Sequence, residues 1–221
     1  MRRALPALLL VVASLAVHWP PADAGFAYDD VDFVVTNASL RSRDAALRAL
    51  FAPFPPQQPA RALYRPLTNL SYAIDYARFG DVARGYHATN ALLCAAVVLL
   101  VHRLALAWSL SPGAALAAAL LFAAHPVHCE AVDALAGRSE LLALLFSLCA
   151  LLLFRRATRA PTGGTAALWA SAGAQLLACL AKESAAVLPG VFAVELAAFG
   201  SFRRGNPAQR GALARLVPSA C

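Results

Sequence analysis

The feature that most constrains this chain is a succession of apolar runs close to the length needed to cross a membrane. A helix crosses roughly 30 Å of hydrocarbon with about 20 apolar residues, because only hydrogen bonds within the segment can satisfy its backbone in lipid. Six stretches approach that length: residues 4–19, 86–108, 114–124 with its flanks, 141–154, 166–180 and 185–199. The last four are short, so tight turns must join them. Composition agrees, since 60% of the 221 residues are hydrophobic and only 14% are charged, beyond the usual apolar share of soluble domains. The expected fold is an all-α polytopic membrane protein with about six transmembrane helices in a lipid bilayer.

Arginines flanking the runs set an orientation, because positive residues near span ends are retained in the cytoplasm. Arg2 and Arg3 place the N-terminus there. Alternation then brings Arg103, the Arg155-Arg156-Arg159 group and Arg203-Arg204 to the same side. The expected organisation is a first membrane anchor over residues 1–24, an outer loop over 25–85, a helical membrane bundle over 86–200 and a cytoplasmic tail over 201–221. The outer loop carries several Arg, which loops of this length tolerate during translocation. The first run also reads as a cleavable signal peptide ending at Ala22-Asp23-Ala24; retention as an anchor is the preferred expectation. Within the loop, helical spacing predicts two interfacial helices over 44–51 and 67–79, separated by Pro53, Pro55, Pro56 and Pro59.

A net charge of +7 could suggest nucleic acid, yet the basic residues are scattered between apolar runs. No basic face and no base-stacking aromatic motif assembles, which excludes nucleic acid as the expected partner. Of the five cysteines, three lie in apolar runs, and their spacing gives neither a disulfide framework nor a zinc site.

The residues that could carry chemistry gather at the outer ends of the runs. Asp29 and Asp30 form an adjacent carboxylate pair a few residues beyond the first run, able to act as a base or to bind a cation; taken alone, such pairs are also ordinary helix-capping acids. His125, His128 and Glu130 close the third run around Pro126, so the segment reads either as a helix terminator or as a cavity or metal-ligating element, a divalent cation being the one cofactor considered. Arg65, Arg138 and Lys182, with Glu183 beside the last, provide positive charge where a lipid phosphate would lie, although snorkelling side chains explain such residues more cheaply. Asn37-Ala38-Ser39 and Asn69-Leu70-Ser71 fit the glycosylation acceptor pattern.

These signals occur in a recognisable order: Gly25-Phe26-Ala27-Tyr28-Asp29-Asp30, Tyr64-Arg65-Pro66-Leu67-Thr68, Gly85-Tyr86-His87, Ala124-His125-Pro126-Val127-His128, Gly137-Arg138-Ser139-Glu140 and Leu180-Ala181-Lys182-Glu183. The series resembles the N-terminal membrane portion of the transmembrane and tetratricopeptide-repeat protein O-mannosyltransferases and their bacterial relatives. The resemblance covers most of residues 25–200. It implies the N-terminal part of a multi-span C-type glycosyltransferase fold, which moves mannose from dolichyl or another polyprenyl phosphate to Ser or Thr of an acceptor protein with inversion. It further implies that Asp29 or Asp30 is the catalytic base, that Arg65, Arg138 and Lys182 bind the donor phosphate, and that His125, His128, Glu130 and Glu183 line an outer-facing cavity. The implied location is the endoplasmic reticulum membrane, or the inner membrane for a bacterial relative.

The chain departs from the family pattern in three places. No tetratricopeptide repeat is present, Pro55-Pro56-Gln57-Gln58-Pro59 replaces a Trp- and Phe-rich stretch, and Ser139-Glu140 stands where Ala-Asp is common. A non-catalytic scaffold or truncated, inactive family member is therefore the alternative reading. A transporter is less favoured, because its polar features belong near the midplane, whereas here they gather at one face.

Overall fold

A computed structural model describes residues 4–160 and 164–198. The expected tail, Arg2, Arg3, Arg203, Arg204 and Cys221 lie outside the described residues. The described helices are α1 (Ala4–His18), α2 (Arg43–Ala49), α3 (Pro66–Phe79), α4 (Ala83–Ala107), α5 (Pro112–Ala123), α6 (Cys129–Val132), α7 (Arg138–Arg159), α8 (Thr165–Ala181) and α9 (Leu188–Ala198). Among the described residues the only β-pairing is an isolated antiparallel bridge between Phe54 and Leu63.

Two helical units, Ala83–Ala107 and Leu135–Arg159, are long and apolar enough to cross a membrane. A third results if Pro112–Ala123 and Pro126–Val132, bent by 48°, count as one span. Leu5–His18 and Thr165–Ala181 are apolar but shorter. The expected run over 185–199 begins as a 3-10 segment, Glu183–Val187, and continues into the 11-residue α9. Local sequence explains these limits. Ser111 accepts a hydrogen bond from the Ala114 N–H and Pro112 opens α5, a cap and a first-turn proline that suit a helix start. Pro126 then lacks the N–H that would carry α5 onward.

The bundle closes on small side chains. Ala115, Ala119 and Ala123 are buried along one face of α5, where Ala119 and Ala123 meet Leu10 of α1 and Cys94 and Val98 of α4. Between α7 and α8 the contact runs through Ala143, Ala178 and Ala181, and the Ser171 hydroxyl donates to the Ala150 carbonyl at 2.8 Å. Small residues let helix backbones approach where lipid supplies no hydrophobic drive, and an interhelical hydrogen bond adds about 0.6 kcal/mol.

The segment between α1 and α4 folds back onto one end of this bundle around a second core of Phe33, Phe54, Tyr72, Tyr86 and Leu135. The two expected loop helices are α2 and α3. The Thr68 hydroxyl of α3 donates to the last-turn carbonyl of Ala181 at 2.9 Å, seating α3 across the end of α8. Asn37 and Asn69 both lie inside this layer, 0% and 2% exposed, and the Asn37 amide donates to the Asn69 side-chain oxygen at 2.9 Å. The two glycosylation-like motifs are thus packing elements of the folded chain. At the other end of α7, Glu195 pairs with Arg155 and accepts a hydrogen bond from the Trp108 indole at 2.9 Å, which gives the acid inside the last apolar run a buried partner.

Candidate active site

The helix ends and the folded-back segment enclose a cavity of 1320 Å³. The C-terminal end of α1, the Gly25 to Asp30 motif, the turn around α6, the start of α7 and the segment after α8 all reach its wall. The polar motifs scattered along the sequence therefore converge on one space, because successive helices run in alternate directions.

The two acids of the motif are placed differently. Tyr28 is 97% exposed and adopts a left-handed backbone with φ 49°, a conformation that costs a non-glycine residue of order 1 kcal/mol. Beyond this turn, Asp30 points inward and is 2% exposed. Its carboxylate accepts hydrogen bonds from the Ala136 N–H at 2.9 Å and the Ala27 N–H at 3.2 Å. Asp29 keeps a side chain 59% exposed, with Arg61 at 3.7 Å. His87 of α4 holds the motif from the other side through the Gly25 carbonyl at 3.0 Å. Asp30 is thus occupied in joining two backbone segments, while Asp29 is open to the cavity.

Ala136 begins a short run that links the acids to positive charge. Gly137 follows, where an added Cβ would lie 2.4 Å from the Ala131 carbonyl oxygen, so the turn requires glycine. Three residues beyond Ala136, the Ser139 hydroxyl lies 3.5 Å from Arg65, and the next residue, Glu140, pairs with Lys182. Arg65 also donates twice to Glu183, at 3.0 and 2.6 Å. The Arg65 guanidinium holds the Glu183 carboxyl below its ordinary range, while burial and the nearby Arg65 charge lower Lys182. The short run from Ala136 to Glu140 thus links Asp30 at one end to the Arg65 and Lys182 pairs at the other.

Of the residues expected at the site, Asp29, Asp30, Arg65, His128, Glu130 and Lys182 line the cavity. Three are placed elsewhere. Arg138 is 0% exposed and its guanidinium is consumed within the core: it pairs with Asp75 at 2.6 Å, donates to Asn90 at 2.8 Å and to the Tyr86 carbonyl at 2.9 Å, and lies 4.6 Å from the Tyr72 ring centre. Its guanidinium is engaged inside the fold and does not line the cavity. Glu183 is not among the residues that line the cavity; its half-exposed carboxylate is paired with Arg65. His125 caps the turn after α5 by accepting from the Val127 N–H at 3.2 Å. Among the described residues no three His, Cys, Asp or Glu side chains converge to hold a metal ion.

The sequence reading missed three participants. Arg61, in the Pro-rich loop, contacts Asp29 and pairs with Asp32 at 3.0 Å. His18 ends α1 against the wall, 3.4 Å from Asp133. Asp75 supplies the buried charge that Arg138 answers. Of these only His18 carried a legible signal, as a polar residue near the end of an apolar run.

Comparison with known proteins points to one group. The chain is 32% identical over 154 residues to the protein O-mannosyl-transferase TMTC3 of Mus musculus, covering 67% of this chain and 16% of that protein. It is 34% identical over 171 residues to Tmtc2 of Drosophila melanogaster (73% and 18%) and 33% identical over 170 residues to human TMTC4 (68% and 23%), both also named protein O-mannosyl-transferases. The chain therefore spans less than a quarter of the length of these relatives. No family model and no solved structure matches it.

Proposed function

Because the chain belongs to the TMTC family of protein O-mannosyl-transferases, we propose that its cavity is the catalytic half-site of a membrane mannosyltransferase. The donor in this reading is a polyprenyl-phosphate mannose, dolichyl in a eukaryotic cell. The acceptor is a Ser or Thr hydroxyl of a protein, and the cavity opens to the lumen of the endoplasmic reticulum. The six apolar stretches then form the first part of a C-type glycosyltransferase bundle, with the shorter ones completed by packing against their neighbours.

The observation that carries this reading is the run from Ala136 to Glu140, which touches Asp30 at one end and the Arg65 and Lys182 pairs at the other. Displacement at a sugar carbon needs a base beside the attacking hydroxyl and positive charge beside the leaving phosphate, with the anomeric carbon between. Asp29 takes the hydroxyl proton as the acceptor oxygen bonds to the anomeric carbon from the face opposite the phosphate. The bond from that carbon to the phosphate oxygen breaks, its electron pair stays on the phosphate, and the configuration inverts. Arg65 and Lys182 stabilise the charge that develops there. Asp30 is the positioning residue, fixing the motif against the start of α7.

Transfer of labelled mannose from the lipid donor to an acceptor peptide, measured on the membrane-embedded protein, tests the assignment. Asp29→Asn is expected to lower kcat by about 10²- to 10⁴-fold with melting unchanged. Asp30→Asn is expected to lower the melting temperature, since it replaces one of the two accepting oxygens with an NH2 that cannot accept from the facing N–H, at about 1–3 kcal/mol. Full activity in Asp29→Asn would overturn the choice of base.

A further inference from the structure

We propose that Glu183 and Glu140 are internal stand-ins for the donor's phosphate, occupying Arg65 and Lys182 until an anionic phosphate group exchanges with them. This rests on the reading of the two cations as the phosphate site and adds a means of control to it.

The asymmetry of the two pairs is the first support. Arg65 and Lys182 side chains are 11% and 21% exposed, whereas Glu183 and Glu140 are 57% and 50% exposed. Both cations lie in the cavity wall, and the carboxylates that hold them are about half exposed to water. A half-exposed carboxylate regains hydration when it leaves, so its release is less costly than that of a carboxylate buried together with its partner. The deeper pair of Arg138 and Asp75 has no such exit, with both side chains at 2% exposure or less.

Geometry is the second support. Glu183 meets Arg65 with both carboxylate oxygens, at 3.0 and 2.6 Å, the fork-to-fork arrangement that a phosphate also offers to a guanidinium. Lys182 is the residue before Glu183 and is directed instead to Glu140 of α7. Two carboxylates thus do separately what one phosphate, with several acceptor oxygens, can do jointly. Arg65 is paired with Glu183, the residue next to Lys182, so both cations are brought to one stretch of the cavity wall.

Charge gives the exchange a direction. The bound donor is a phosphodiester with one negative charge, a weak competitor for two cations that already hold carboxylates. The departing lipid phosphate is a monoester carrying about −1.5 to −2. Exchange therefore proceeds furthest as the sugar–phosphate bond breaks, so Arg65 and Lys182 interact more strongly with the transition state than with the bound donor. That difference is what accelerates a reaction.

Titration of the full chain in detergent with farnesyl phosphate, followed by calorimetry, tests this. Glu183→Gln and Glu140→Gln are each expected to tighten farnesyl phosphate binding by roughly two- to fivefold, and the double variant by more. Glu183→Asp, which keeps the charge but shortens the reach, is expected to tighten it less and serves if the Gln variant does not fold. Folded Glu variants that bind as the parent does, or more weakly, would overturn the exchange while leaving the phosphate site standing. If the Arg65→Gln, Lys182→Gln double variant binds farnesyl phosphate as the parent does, the phosphate site itself is wrong. Inorganic phosphate is expected to leave the farnesyl phosphate titration unchanged at equal concentration; equal binding of the two would overturn a lipid source and mark a free-phosphate site.

Discussion

Arg138 shows how much a residue's surroundings decide. Its side chain is fully buried among Asp75, Asn90, the Tyr86 carbonyl and the Tyr72 ring, and without it the Asp75 carboxylate would be left buried without its charge partner. Removing one member of a buried pair strands the other charge, which costs about 3–5 kcal/mol, whereas replacing both with apolar residues is often close to neutral. Arg138→Ala is accordingly expected to lose most folded protein, and Arg138→Met with Asp75→Leu to recover it, read as melting in detergent. A donor-binding role would predict the reverse, a folded single variant with weakened substrate affinity. Glu183 makes a pH-dependent contribution of definite sign. Arg65 lowers its pKa from an ordinary 4.5, so the pair's stabilisation is present above that ordinary value and is lost as pH falls through the lowered one. The melting difference between the parent and Glu183→Gln is expected to be constant at neutral pH and to close below about pH 4.5.

At the scale of elements, α1 is part of the bundle. Leu10 and Ser14 are 0% exposed and His18 is 5% exposed, and Val17, His18 and Trp19 line the cavity. A cleaved leader would leave the faces of α4 and α5 that meet Leu10 open and remove one wall of the site. The expectation is that protein recovered from membranes retains residues 1–24, measured by intact mass; a mature form beginning at Gly25 would contradict it. The break between α5 and α6 has the same positional importance. Pro126 ends the helix and the 48° bend turns His128 and Glu130 into the cavity, so a chain straightened there would carry both residues away from Asp29.

For the whole molecule, the alternation of helices sends polar residues to two separate places. One end of the bundle holds the cavity, and the other holds the buried Arg155 and Glu195 pair with Trp108. If the cavity faces the lumen, Cys129, exposed on the turn into α6, is on the lumenal side. In sealed microsomes carrying the Cys221→Ser variant, a membrane-impermeant maleimide is expected to label Cys129 only after permeabilisation. Labelling of intact vesicles would place the cavity on the cytoplasmic face and remove the lumenal acceptor reading.

The sequence by itself determined the membrane-helical class, the family, the two helices of the folded-back segment and the inventory of motifs. Each of these depends on local quantities, namely run length, helical spacing, proline positions and ordered short motifs, which survive without knowledge of contacts. The division of labour between Asp29 and Asp30 was not legible, since it depends on the left-handed turn at Tyr28 and on an N–H supplied by Ala136, more than a hundred residues away. Nor was the burial of Arg138, whose partner Asp75 looked like one more acid in a polar loop, or the burial of Asn37 and Asn69. Only the tertiary structure decided which charges face the cavity and which are spent inside the fold, because burial and pairing arise from residues distant in sequence.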